Sequence, residues 1–294
     1  MHGSPCQDFS LAGKQAGGDK DSGTRSSLMY ETIRIVEKLK PKYVIWENVK
    51  NLLSKKHRHN FDAYLETMEQ LGYTNYYQVL NAKDYLTPQN RERVFTISIR
   101  KDINKIFTFP PKQELKLKLK DMLEDEVDEK YYLSDDLMEH IQKTAEEHEE
   151  YTQYDRYNGD LEMWCRVWKD KSPTLNTKCK DTKIYVKNAT KKGYLEARDG
   201  DGIDISARMK HHRGTVQKES IQTLTTSGGN ERGVVLNDLK IRKLTPLEVW
   251  RLMGFDDEDF EKASKVNSNS QLYKQAGNSI VVNVLEAIFK ELIK

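Results

Sequence analysis

Leu28–Val49 reads LMYETIRIVEKLKPKYVIWENV, and a change of period inside this stretch decides the fold class. Leu28, Ile35, Val36 and Leu39 recur at helical spacing up to Pro41, which cannot continue a helix, and Tyr43-Val44-Ile45-Trp46 is then a short apolar run ending at Glu47. The spacing predicts a helix followed by a buried strand. Downstream, Asn60 is placed to cap a second helix with Phe61, Tyr64, Leu65, Met68 and Leu71 on one stripe and Gly72 as its stop; two more strands are expected near 75–81 and 93–99. Helix alternating with buried strand implies an α/β fold. Its sheet is expected to be mostly parallel and covered on both faces, with ligands collecting at the carboxyl ends of the strands. Glu47 stands at such an end, as a functional carboxylate or as a solvated or capping one.

Upstream, Gly3-Ser4-Pro5-Cys6-Gln7-Asp8-Phe9-Ser10 presents a cysteine in a short turn bounded by Gly, Pro and Ser. Such a cysteine is either a small buried hydrophobe or a nucleophile, which flanking amides and cations hold partly as thiolate. The other cysteines, Cys165 and Cys179, form no C-x-x-C pair with it or with each other, which argues against a zinc knuckle and a disulfide framework.

The 294 residues have room for two domains, with 37% hydrophobic residues for packed cores and 32% charged residues for a wet surface. No apolar run approaches the roughly 20 residues that span a bilayer, and no basic segment leads into an apolar one at the start. A soluble, cytoplasmic protein with no membrane partner is expected. The net charge of +2 points to no partner, but the local blocks are uneven. Asp121 to Glu150 holds thirteen acidic residues against Lys130 and Lys143, read as a solvated linker helix, whereas 171–192 holds seven lysines.

Residues 106–240 are polar and loop-rich and are expected to form a smaller second domain, with 1–105 before it and 241–294 returning to the first. Inside it, Ser172–Thr177 and Ile221–Thr226 share a Thr-Leu-x-Thr core, a weak repeat, and Ser227-Gly228-Gly229-Asn230 is a turn that either approaches a polar ligand or closes a surface hairpin. Thr245-Pro246-Leu247-Glu248 reads as a capping box with proline at the first helical position, and Gly254 ends that helix. A last amphipathic helix is expected to open at Gly277-Asn278-Ser279 and to run through Val281, Val284, Leu285, Ile288 and Leu292.

The order Pro5-Cys6-Gln7, Glu47-Asn48-Val49, Gln89-Asn90-Arg91-Glu92-Arg93, Arg242-Lys243-Leu244-Thr245-Pro246 with Arg251-Leu252-Met253-Gly254-Phe255, and Gly277-Asn278-Ser279 resembles the DNA cytosine-5 methyltransferases, along essentially the whole chain. The resemblance implies a Rossmann-like methyltransferase sheet with a separate target-recognition domain, between Arg93 and Arg242. It implies methyl transfer from S-adenosyl-L-methionine to C5 of a cytosine in double-stranded DNA, without a metal. C5 of cytosine is a poor nucleophile until a thiolate adds at C6, the role implied for Cys6. An acid aimed at N3 and a cation near O2 must offset the charge that builds on the ring, the roles implied for Glu47 and Arg91, with Arg93 buttressing the carboxylate. Because C6 is hidden in the stack, the base must be swung out of the duplex.

By the same resemblance Ser4, Gln7 and Ser10 lie beside the flipped nucleotide. Pro5, Leu28, Asn278 and Ser279 lie near the cofactor, although Leu28 would be apolar in any amphipathic helix and Asn-Ser is also an ordinary cap. Thr223, Leu224 and Thr225 match a signature of the recognition domain, and the lysine-rich stretch suits phosphate contacts or is a plain solvated face.

Family enzymes also carry an amino-terminal Phe-x-Gly-x-Gly loop and acidic residues that grip the cofactor, and this sequence has neither segment. The expectation is a subunit of a split enzyme completed by a separate amino-terminal polypeptide, a truncated product, or a deliberately shortened chain, of restriction-modification or orphan type, with a cognate restriction endonuclease as a system partner. The terminal-helix stripe Val281, Leu285, Ile288 and Leu292 is then expected to lie uncovered. The rival readings are a catalytically inactive DNA-binding remnant and the tRNA-modifying branch of the same fold.

Overall fold

The computed structural model describes residues 1–5, 8–9, 16–20, 22–134, 183–205, 214–226, 231–236 and 240–294. Cys6, Gln7, Ser10, Cys165, Cys179, the repeat half Ser172–Thr177, the turn at 227–230, the acidic block beyond 134 and most of the lysine-rich stretch lie outside the described residues. The chain forms two compact units, one of Met1–Leu86, Arg91–Glu114 and Ile280–Lys294, the other of Thr87–Asn90 and Leu115–Ser279. No helix among the described residues is long and apolar enough to cross a membrane.

In chain order the first elements are α1 (Met29–Leu39), β1 (Tyr43–Val49), α2 (Arg58–Gln70), β2 (Tyr73–Asn81), β3 (Gln89–Asn90) and β4 (Glu92–Arg100). Pro41 and a left-handed Lys40 end α1, and Gly72, at φ +89°, turns the chain after α2, as their sequence positions predict. Asn60 is not the cap of α2: the helix starts earlier, after His57, and Asn60 is buried in its first turn. The first unit's sheet has the order β1-β4-β2, with β4 antiparallel to both neighbours. The expected mostly parallel sheet is therefore corrected for these strands. The α2 crossover does make β1 and β2 run the same way, but β4 returns between them without a crossover helix, which forces it antiparallel. Among the described residues, the one parallel pairing of β1 is with His2, whose amide donates to Ile45 O at 2.9 Å and whose carbonyl accepts from Glu47 N at 3.2 Å.

Val44, Trp46 and Val94 on one face of this sheet form a core with Met29, Ile33 and Val36 of α1 and Phe61, Tyr64 and Met68 of α2. Each side chain of this size contributes about 1.5–3 kcal/mol by leaving water. Of the stripe expected for α1, Val36 is buried but Leu28, Ile35 and Leu39 are exposed, and Met29 and Ile33 face inward with Val36. The helix carries apolar residues on two sides, and periodicity alone does not choose between them.

The opposite face presents Ile45, Phe95, Ile97 and Ile99, all buried. The terminal helix, Val282–Ile293, belongs to this unit, and Lys105 Nζ donates to Leu292 O at 2.6 Å near its end. Its stripe is covered, contrary to expectation: Val281, Ile288 and Leu292 are buried and Leu285 is half-buried. The helix also opens at Val282 rather than at Gly277, because Gly277-Asn278 close a preceding helix and Ser279 leaves it in an extended conformation.

His2 stacks on Trp46, with ring centroids 5.9 Å apart, and its Nδ1 lies 3.2 Å from Thr32 Oγ1. Burial, assisted by the nearby amino terminus, pushes the imidazole pKa down from 6.5 to about 4. The unfolded chain therefore binds a proton that the folded chain excludes, and stability falls as pH drops from about 6.5 to about 4. His2→Phe, which keeps a ring against Trp46, is expected to flatten that part of the acid-denaturation curve; an unchanged slope would show that His2 titrates normally.

The second unit contains β5 (Lys183–Lys187), β6 (Tyr194–Arg198), β7 (Gly202–Asp204), β8 (Val216–Gln217), β9 (Ile221–Gln222), β10 (Arg232–Val235) and β11 (Ile241–Lys243), then α3 (Pro246–Arg251), α4 (Asp257–Ser264) and α5 (Asn269–Asn278). β11-β10-β7-β8 form an antiparallel sheet, β5 and β6 a hairpin, and β3 and β9 a short parallel pair. Ile184, Val186, Ala197, Ile203, Ile205, Val235 and Ile241 make its core. Thr245 and Glu248 form the expected capping box, with Pro246 at the first turn of α3.

Candidate active site

Glu47 lies near the end of β1, on the face that also carries Arg93 of β4. In the register Glu47 faces Phe95 and Val49 faces Arg93, so the two are diagonal neighbours across adjacent strands. Arg93 Nε sits 3.0 Å from Glu47 Oε1, and the side chains are only 16% and 13% exposed. This ion pair is drier than the Lys50–Glu92 pair, which is exposed on both sides and contributes little. Arg91, 4% exposed, precedes β4; its amide donates to Asn81 Oδ1 at 3.1 Å and its carbonyl accepts from Ala82 N at 3.0 Å.

The segment that leads to Cys6 docks on β1. Ser4 Oγ accepts from Trp46 Nε1 at 2.9 Å and from Asn48 Nδ2 at 3.2 Å. A methyl group on Gly3 would lie 3.7 Å from Glu47 Oε2, which brings the start of this loop beside the carboxylate. Beyond Cys6, Phe9 is fully buried, its carbonyl accepts from Asn51 Nδ2 at 2.6 Å, and its ring packs edge-on against His57. Trp46, Asn48 and Asn51 thus support the loop, and none was singled out for that from sequence. A fully buried asparagine directly after a candidate catalytic glutamate was the available signal, because a buried amide demands partners.

Of the other residues expected at the site, Pro5 belongs to the docked loop and Leu28, 51% exposed, caps the start of α1. Thr223, Leu224, Thr225, Asn278 and Ser279 belong to the second unit. There Gln89, fully buried, donates to Leu252 O at 2.8 Å, and its Oε1 accepts from Leu224 N at 3.3 Å. Thr223 Oγ1 donates to Asn90 O at 2.8 Å, Leu224 is 2% exposed, and Thr225 Oγ1 bonds Glu231. Asn278 is exposed, and Ser279 Oγ donates to Gln275 O at 2.8 Å.

Gly277 meets the same segment. A Cβ there would lie 2.5 Å from Thr225 O and 2.7 Å from Thr226 N, contacts that only a backbone shift relieves. Gly277→Ala is expected to destabilise the second unit by about 1–3 kcal/mol, the range for forced overpacking. Chemical denaturation checks this, and a change below about 0.5 kcal/mol, the ordinary surface range, would mean that the close approach does not exist.

The sequence matches the profile of the C-5 cytosine-specific DNA methylases over residues 1–294. It is 41% identical to the type II methyltransferase M2.ScrFI of Lactococcus lactis subsp. cremoris over 99% of this chain and 65% of that protein. It is 33% identical to the orphan methyltransferase M.SPRI of Bacillus phage SPR, over 99% and 81%. The chain thus spans slightly less than two thirds of the length of M2.ScrFI. Among solved structures, a DNMT2 variant from Spodoptera frugiperda superimposes with a TM-score of 0.58 at 15% identity, over 99% of this chain and 78% of that one, which places the fold with the Rossmann-like methyltransferases. The chain belongs to the C-5 cytosine-specific DNA methylase family.

Proposed function

We propose that the chain carries the catalytic and target-recognition portions of an enzyme that transfers a methyl group from S-adenosyl-L-methionine to C5 of a flipped-out cytosine in duplex DNA. The observation that supports this best is the Glu47–Arg93 pair beside the docked segment Gly3-Ser4-Pro5, which leads directly into Cys6.

In this reading the Cys6 thiolate adds to C6 of cytosine while Glu47 delivers a proton to N3, so the ring never carries the full negative charge. Arg93 holds the carboxyl group in its orientation, and Arg91 offsets charge near O2. When a base takes the C5 proton, its electron pair reforms the C5–C6 double bond, the Cys6–C6 bond breaks with its pair leaving on the thiolate, and N3 returns its proton to Glu47. Two described residues support a place for one flank of the cofactor: Leu28 is exposed at the start of α1, an apolar surface suited to an adenine ring, and Pro5 lies on the docked loop. Pro5 and Leu28 would hold the group, with Asn278 and Ser279 as polar partners, and when bound it supplies the methyl group. Ser4, Gln7 and Ser10 are assigned to the flipped nucleotide and Thr223, Leu224 and Thr225 to base choice, with the segment 106–240 as recognition domain. Partners are double-stranded DNA and a cognate restriction endonuclease in the same system; the setting is cytoplasmic, on the nucleoid.

The test mixes the chain with S-adenosyl-L-methionine and duplex DNA containing 5-fluorocytosine, with and without the amino-terminal polypeptide. The fluorine cannot leave as the C5 proton does, so the thiol remains bound to the base. A covalent adduct lost in Cys6→Ser is expected. DNA retained without an adduct in either arm would replace this reading by a catalytically inactive DNA-binding remnant.

A further inference from the structure

Ser26 is completely buried just before α1, and nothing in the proposed chemistry calls for it. Its hydroxyl nevertheless bonds the two described residues that flank Cys6-Gln7 in the sequence. Ser26 Oγ donates to Pro5 O at 2.8 Å and accepts from Asp8 N at 3.2 Å. Its own amide donates to Asp8 Oδ2 at 3.0 Å. A single hydroxyl thus bonds both the Pro5 carbonyl and the Asp8 amide, and in the sequence only Cys6 and Gln7 separate these two residues. The serine cannot drift, because its backbone is fixed as well: a Cβ on Gly18 would lie 3.1 Å from both the carbonyl carbon and oxygen of Ser26 and 2.5 Å from Phe9 Cζ.

We propose that Ser26, with Asp8, is a positioning residue for the Cys6 thiol: it fixes both ends of the two-residue step that carries the nucleophile. The proposal rests on the reading of Cys6 as the attacking group. A hydroxyl suits the task because it donates and accepts at once, whereas an alanine there would strand a carbonyl and an amide in a part-buried place. Threonine preserves both functions, and alanine preserves neither.

Two measurements on the full chain separate this proposal from the reading beneath it. The first follows alkylation of each cysteine by iodoacetamide, peptide by peptide, with Cys165 and Cys179 as internal references. In Ser26→Ala the Cys6 rate is expected to shift toward the rate of the urea-unfolded chain while the two references stay unchanged, and Ser26→Thr is expected to behave as wild type. An unchanged Cys6 rate in Ser26→Ala, or an equal shift at all three cysteines, overturns the proposal, the latter because it reports general loosening. The second is adduct formation on 5-fluorocytosine duplex, where Ser26→Ala is expected to slow the covalent step roughly 100-fold, the scale of a nucleophile misplaced by about 1 Å, with DNA affinity unchanged. An adduct formed at wild-type rate in Ser26→Ala also overturns the proposal. No adduct from the wild-type chain in any arm removes the reading of Cys6 instead, while the alkylation pattern still decides whether Ser26 sets its environment.

Discussion

Arg242→Met is expected to cost the second unit about 3–5 kcal/mol, the penalty for stripping one partner from a buried ion pair. Arg242 and Glu248 are 2% and 0% exposed, and the guanidinium is bidentate, with Nη2 2.6 Å from Oε1 and Nη1 2.8 Å from Oε2. The same carboxylate accepts the amides of Glu124 at 2.9 Å and Thr245 at 2.8 Å, and the Thr245 hydroxyl donates to the Glu124 carboxylate. One buried anion thus binds β11, the start of α3 and the segment around residue 124 at once. Without the arginine it keeps backbone donors but no counter-charge, and at low dielectric that is the costlier loss. Denaturation followed by the fluorescence of Trp250, in a background with the other three tryptophans replaced by Phe, reads the effect. The double variant Arg242→Met, Glu248→Gln is expected to recover part of the loss, since a neutral amide oxygen still accepts from the two backbone donors. A loss under 1 kcal/mol for the single variant would show that the carboxylate is hydrated in the native chain.

Glu47→Gln is expected to slow methyl transfer by about 10²–10⁴-fold, the usual range for removing a positioned general acid. The amide keeps the size of the side chain and can still lie against Arg93, so DNA affinity and stability are expected to change little. Single-turnover transfer to duplex DNA, measured beside equilibrium DNA binding, gives the two numbers separately. Equal losses in rate and in binding would mean that Glu47 supports the architecture and donates no proton. Arg93→Lys completes the comparison: it retains the charge but loses the flat guanidinium edge that meets the carboxylate, and an intermediate rate is expected.

Local signals in the sequence translated well where the cause is local. Thr245, Pro246 and Glu248 cap α3 within four residues, and Pro41 and Gly72 stop their helices through their own backbone constraints. The direction of β4 was not legible, because nothing within Glu92–Arg100 records that the strand inserts between β1 and β2. The face of α1 was misread for a related reason: Leu28, Ile35 and Leu39 are as apolar as the residues that turn inward, and only the packing partners distinguish the two sides. The covered terminal stripe was not legible either, because nothing within Val281–Leu292 records which surface buries it. At the site, Glu47 and Arg93 were legible because short motifs carry them. The anchoring of their surroundings was not, since Trp46 and Asn48 reach Ser4 across more than forty residues of chain and Ser26 reaches Pro5 and Asp8 across about twenty. Such bonds leave no periodic trace.

The run Gln89-Asn90-Arg91-Glu92-Arg93 is shared between the two units, with the division falling at the Asn90–Arg91 peptide bond. This has a consequence for exchanging the second unit between relatives. A graft cut only near residues 114 and 279 would bring in a foreign segment in place of Thr223–Thr225 and a foreign Leu252, yet keep the host's residue at position 89, whose amide holds both. Chimeras should assemble when donor and host agree at that position and fail when they differ, so compatibility between modules is set by a residue outside the stretch that would be exchanged.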